Sequence, residues 1–210
     1  MSTGWTCPPY SDAYSIMRVL RAADRIATPW KNGGGVTREI AVSPPGAGPG
    51  AFEWRISLAE IATDGPFSTF PGVDRVLTVI EGQGLMLDVD GRLLAMDAAS
   101  PPLAFAGEVE VSARLTDGPI RDLNLMVRRG VWRARTRRLT VPGAAEVAAK
   151  AAVTLVLTLD ILRIARPGGV IDLSPMDAVL LDQGNSNLSL EGRGRTLISE
   201  ITIDHDPLPQ

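Results

Sequence analysis

Between residues 52 and 58 the side chains alternate without a break: Phe52, Trp54, Ile56 and Leu58 fall on one side, Glu53, Arg55 and Ser57 on the other. A period of two is strand geometry and does not suit a helix, whose faces repeat about every 3.6 residues. Further runs of strand character follow at residues 75–80, 85–89, 108–115 and 123–127. Turn chemistry separates them: a Pro/Gly loop over 43–50, then Asp64-Gly65-Pro66, Phe70-Pro71-Gly72 and the hairpin pair Asp90-Gly91. With 21 glycines and 16 prolines, the chain suits many short strands joined by tight turns, so the expected class is all-β. Helix is expected only in short pieces, around 22–26 and 144–151.

At 210 residues the chain can bury a sizeable core, and 45% apolar content argues against disorder over most of its length. A net charge of -3 disfavours nucleic acid as a partner. Apolar runs fall short of the roughly 20 residues a membrane helix needs, and the start lacks the pattern of a secretory signal. A single cysteine, Cys7, precludes a disulfide within the chain and agrees with a cytoplasmic location.

Three segments are expected: a flexible leader over 1–15, a first half over 16–138 and a second half over 139–210. Structure is expected to begin with a strand at 16–20, and Met17 is a candidate natural start. Val141-Pro142-Gly143-Ala144-Ala145-Glu146 reads as the joint. A weak internal repeat supports two similar halves: Gly91 to Gly107 spans 16 positions and Gly169 to Gly184 spans 15. The six arginines between 128 and 138 read either as an anion patch or as a solvated strand face.

The run Pro29-Trp30-Lys31-Asn32-Gly33-Gly34-Gly35-Val36-Thr37-Arg38-Glu39-Ile40 resembles the signature of the HutD/Ves family of cupin-like proteins. Later segments agree with it in order: Trp54-Arg55-Ile56-Ser57, Asp64-Gly65-Pro66-Phe67-Ser68, Phe70-Pro71-Gly72-Val73-Asp74-Arg75, Glu81-Gly82, Phe105-Ala106-Gly107 and Asp122-Leu123-Asn124-Leu125-Met126. The resemblance implies a cupin-like double-stranded β-helix, or jelly roll, with two such halves in one chain (a bicupin). It also implies a bacterial cytoplasmic protein linked in some members to histidine utilisation and in others to stress response. A homodimer is a modest expectation from the same fold.

The chemistry open to these residues is limited. Catalytic cupins commonly hold a metal with two or three histidines and a glutamate, whereas His205 is the single histidine here, so neither metal nor other cofactor is expected. A Gly-x-Ser-x-Gly elbow is absent. What remains is a polar, cationic set: Lys31, Asn32, Gly33, Thr37, Arg55, Ser57, Arg75 and Asn124. The glycine run can present backbone N–H groups in a concave nest, or can simply be a bend between strands. Arg55 and Ser57 share one strand side, but alternation does not say whether that side faces inward. Arg75 is either a held anion-binding group or one partner of a structural pair with Asp74. If Lys31, Arg55 and Arg75 converge, the site favours a small carboxylate. By resemblance, urocanate and a formylated glutamate are the candidates.

Three functions compete. The leading one is a metal-free protein that binds a small organic acid and regulates histidine utilisation. The others are a metal-independent enzyme acting on such an acid, with Lys31 or Asp74 in acid–base work, and a protein-interaction module using the arginine-rich segment.

Overall fold

Alternating runs become strands wherever both of their sides find something to pack against. A computed structural model describes residues 16–31, 33–166, 169–182 and 186–204. The chain opens with β1 (Ile16–Leu20), β2 (Ala27–Pro29), β3 (Gly35–Ser43), β4 (Trp54–Ile61), β5 (Gly65–Pro66) and β6 (Val73–Glu81). It continues through β7 (Leu85–Val89), β8 (Arg92–Met96), β9 (Leu103–Ala106), β10 (Val111–Leu115) and β11 (Ile120–Arg128). The second half holds β12 (Trp132–Ala149), β13 (Val153–Thr158), β14 (Leu162–Arg166), β15 (Gly169–Leu173), β16 (Ala178–Asp182) and β17 (Ser186–Ile203). A 3-10 turn at Ala22–Asp24 is the helical element among the described residues.

The strands form three sheets. A six-stranded sheet has the order β2-β3-β4-β11-β6-β9, and a four-stranded sheet the order β5-β10-β7-β8. A seven-stranded sheet runs β1-β16-β13-β17-β14-β15, with β12 also paired to β17. Ile61, Leu77, Val79, Leu85, Leu87 and Val111 fill one core between the six- and four-stranded sheets. Trp54, Ile56, Leu58, Leu123 and Leu125 meet Leu155, Leu157, Leu180 and Ile201 in another, between the six- and seven-stranded sheets. The seven-stranded sheet curls round a core of its own built on Val156, Leu162, Ile164 and Ile198.

β4 and β11 are therefore buried on both faces, which settles the side that alternation left open. Trp54, Ile56 and Leu58 face the other half of the molecule, while Arg55 and Ser57 share the opposite face with Ile61, which packs into the core between the six- and four-stranded sheets. The hairpin at Asp90-Gly91 forms as expected, with φ of 51° and 80° at its two central residues, the conformation a primed two-residue turn demands.

Two expectations about the halves change. Residues 141–146 are not a joint, and 144–151 is not a helix: β12 runs unbroken across the 138/139 boundary, paired with β17 along its whole length. Gly143 sits opposite Gly192, both at positive φ, so the Pro-Gly pair bends a long ribbon instead of ending it. β1, expected to open the first half, pairs with β16 in the second, because Met17 and Val19 pack into the core of the seven-stranded sheet. The leader 1–15, Asn32 and His205 lie outside the described residues.

Candidate functional site

In an antiparallel ladder, residues directly opposite one another share a face. Across β4, β11 and β6 one rung joins Arg55, Met126 and Arg75, and the next joins Ser57, Asn124 and Leu77. A third rung adds Ala59, Asp122 and Val79, with Thr37 opposite Ala59 on β3. Five of the expected site residues (Thr37, Arg55, Ser57, Arg75 and Asn124) thus stand on one face, turned towards the four-stranded sheet.

Lys31 and Gly33 do not join them. They form the turn between β2 and β3, at the end where Gly35 pairs with Ile61; Arg55 lies six residues back along β4, roughly 20 Å away at about 3.3 Å per residue. Lys31 is exposed there. Gly33, at φ 71°, donates its N–H to the Trp30 carbonyl at 3.0 Å, so this amide is engaged inside the hairpin. Gly35 has a packing role: a Cβ on it would lie 2.5 Å from the Glu60 carbonyl oxygen and 3.1 Å from the Trp30 ring. The Trp30 indole N–H donates to Thr37 Oγ1 at 2.8 Å and ties the hairpin to the sheet.

Arg75 is the dominant charge of this face. It is 4% exposed, and its guanidinium carbon lies 5.1, 5.5 and 5.6 Å from the ring centroids of Phe105, Phe67 and Phe70. Three aromatic faces around one cation hold it electrostatically while excluding water. Its Nη1 donates to the Ser68 carbonyl at 3.2 Å, but its Nε is buried with no partner. Burial pulls its pKa down to about 10, with the charge of Asp122 opposing. Asp74 does not pair with Arg75; it joins Arg129, which also grips Glu108.

Asp122, the first residue of the motif Asp122-Leu123-Asn124-Leu125-Met126, is the residue that sequence reasoning missed. It is 1% exposed, and its Oδ1 has no partner. Burial pushes its carboxyl up to about 7, while Arg75 pulls the other way. Asn124 Oδ1 is likewise buried and unpartnered, and Ser57 is buried beside it. A signal was available, since Asp122 stands two residues from Asn124 and so on the same face. The phenylalanines come from two stretches, the connection between β5 and β6 and strand β9, and only the fold brings them round Arg75. Arg55 closes the face towards solvent, its Nε donating to Glu39 Oε2 at 2.9 Å.

The arginines of residues 128–138 are largely engaged. Arg129 pairs with Asp74 and Glu108, Arg133 with Asp204, and Arg135 with Glu200. Arg128 donates to the carbonyls of Gly50 and Phe52, and Arg138 to those of Val79 and Ser100. These contacts match the strand-face reading of the run.

A cupin metal does not fit this donor set. Among the described residues no three His, Cys, Asp or Glu side chains are grouped to hold an ion. The face offers one carboxyl beside an arginine, an amide and a hydroxyl. A cleft of about 470 Å³ nearby, lined by Asp88, Asp90 and Glu110, shares Phe67 with the Arg75 cage and is acidic. Among the described residues no helix is long and apolar enough to cross a membrane.

Sheets of this curvature, with a polar face inside the first half, define a cupin-like all-β protein. Residues 22–198 match the HutD family, and the chain belongs to it. It is 37% identical over 193 residues to a 21.2 kDa protein from the hutC 3′ region of Pseudomonas putida, covering 89% of this chain and 98% of that one. The solved structure of HutD from Pseudomonas fluorescens SBW25 superimposes with a TM-score of 0.76 at 36% identity, over 90% of this chain and all of that one. Protein Ves of Citrobacter koseri is 43% identical over 109 residues, 51% of this chain and 56% of its own length. Salicylate 1,2-dioxygenase from Pseudoaminobacter salicylatoxidans, at 9% identity and a TM-score of 0.61 over 91% of this chain and 86% of its own, shares the fold alone.

Proposed function

We propose that this protein binds a small organic acid on the polar face of its first half, without a metal, and that binding serves regulation of histidine utilisation in the bacterial cytoplasm. One observation carries the reading: a guanidinium enclosed by three phenylalanines keeps a buried Nε donor unpartnered. A buried donor without a partner costs free energy that a carboxylate would return, and arginine matches carboxylate geometry with two parallel hydrogen bonds. Ser57 and Asn124 add polar groups one rung away, and the half-exposed Arg55–Glu39 pair marks the side from which a ligand would enter. The P. fluorescens structure is described under a formate condition, and its place in the same family supports testing that carboxylate.

The test is a thermal-shift and calorimetric screen of formate, formylglutamate, urocanate and glutamate against the wild type, Arg75→Met and Lys31→Ala. Ligand binding to the native state raises the melting temperature by mass action. The reading expects a shift with at least one acid that Arg75→Met abolishes and Lys31→Ala keeps. If every acid leaves the wild type unmoved, it fails.

A second reading, a metal-independent enzyme, draws on Asp122, whose carboxyl near neutrality has the titration of an acid–base group. Turnover of a bound acid, lost in Asp122→Asn, would favour it.

A further inference from the structure

Asp122 raises a question that a simple anion site does not answer. Its cross-strand neighbours, Ala59 on β4 and Val79 on β6, are apolar, and the four-stranded sheet packed over this core contributes Leu85, Leu87 and Ala113. Among the charged groups on the surrounding strands, Glu39 and Arg55 pair with each other. Glu60 and Glu81 are held by Arg121, with Arg38 also on Glu60. Arg138 of β12 is committed to carbonyls, one of them that of Val79. Arg75 shares this sheet face with Asp122, and both side chains are buried with a polar atom left without a partner, Nε on the one and Oδ1 on the other. The two stand on neighbouring strands two rungs apart, about 13 Å along the backbone before the length of the arginine side chain shortens the gap.

We propose, resting on the anion-binding reading above, that occupation of Arg75 by a carboxylate is coupled to uptake of one proton at Asp122. An ionised carboxylate in this interior depends on the nearby guanidinium for its stability. A bound anion screens that cation and adds a like charge to the same water-poor space, and both effects favour the neutral acid. The proton comes from solvent and ends on a carboxylate oxygen of Asp122, so the occupied face carries one net charge fewer than simple addition of the anion would leave. Arg75 stays charged throughout.

The sign follows from linkage. Before the anion arrives, the Asp122 carboxyl titrates at about 7, so below that pH it already holds its proton and affinity is flat. Above about 7 uptake must accompany binding, and affinity falls by up to about tenfold per pH unit. The site therefore binds acids less well as its surroundings turn alkaline, although a carboxylate ligand itself keeps its charge over that range.

The experiment uses the whole chain and formate as probe. Affinity is measured by calorimetry from pH 6 to 9 in buffers of different ionisation enthalpy, and the Asp122 carboxyl is followed by carbon-13 NMR with and without formate. The proposal expects a flat limb below about pH 7, a falling limb above it, buffer-dependent heats on the falling limb alone and a higher Asp122 midpoint when formate is bound. Asp122→Asn should bind formate with pH-independent affinity. Formate binding that is lost in Arg75→Met but shows no falling limb and no moved midpoint overturns the coupling and leaves the anion reading standing. Absence of binding to the wild type by formate and by formylglutamate, urocanate and glutamate alike overturns both. Should Asp122→Asn fail to fold, the wild-type NMR midpoint decides by itself.

Discussion

Replacing Asp122 by asparagine should change how stability depends on pH, in a direction opposite to that of most carboxylates. In the unfolded chain an aspartate ionises near 4, but in this interior burial holds Asp122 to about 7. Between those values the native state keeps a proton that the unfolded state has released, so the unfolded state binds fewer protons and stability falls as pH rises. The contribution is complete below about pH 4, declines through the window and is gone above about 7. The carboxyl's rise from 3.8 to about 7 covers roughly three decades of proton affinity at about 1.4 kcal/mol each, or about 4 kcal/mol. Asp122→Asn keeps the shape and removes the titration. The assay is guanidinium denaturation of both proteins at several pH values between 4.5 and 8.5. The difference in unfolding free energy should shift by about 3 kcal/mol in favour of the variant across that range, since the remainder of the window lies below pH 4.5. The variant's own amide contributes equally at every pH and cancels from the trend. Parallel curves for the two proteins would refute the reasoning.

Other sites give sharper local tests. Gly35→Ala should cost roughly 1–3 kcal/mol in chemical denaturation, since the new methyl meets the Glu60 carbonyl and the Trp30 ring. Leu123→Ala, at the packed boundary between the two halves, should cost about 2–5 kcal/mol in the same assay, with one cooperative transition retained. Glu108 should titrate at about 2 by NMR because Arg129 grips it, and Arg129→Gln should return it to the ordinary carboxylate range.

The strands were legible wherever a run alternated between recognised turns: the strand expected at 16–20 is β1, and the one at 75–80 is the interior of β6. Pairing was not, because partners are chosen by the whole molecule. Nothing in Met17 or Val19 indicates that they belong to the second core. Pro142-Gly143 looks like a break, and only the facing Gly192 turns it into a bend. At the site, Arg55, Ser57, Arg75 and Asn124 were picked out by residue type and strand side, and the register sets them on adjoining rungs. Lys31 was included because it precedes three glycines, yet those glycines serve the close approach of Trp30 and β4. The period of two puts Asp122 on the side of Asn124, but its burial is not legible there, because that depends on what is packed over it.

The pairing of β1 with β16 has a consequence for how the chain reaches its native state. Arg18 and Asp182, which bridge these strands, are 164 positions apart, so β1 waits through the synthesis of everything between it and β16. Closing so large a loop is slow relative to local hairpins such as β7–β8. Until β16 emerges, the apolar side of β1 and the edge it will cover stay open to other chains. Crowded synthesis would therefore penalise this architecture most at β1, and the same late pairing stitches the two halves into a unit that cannot be cut between them without leaving a strand behind.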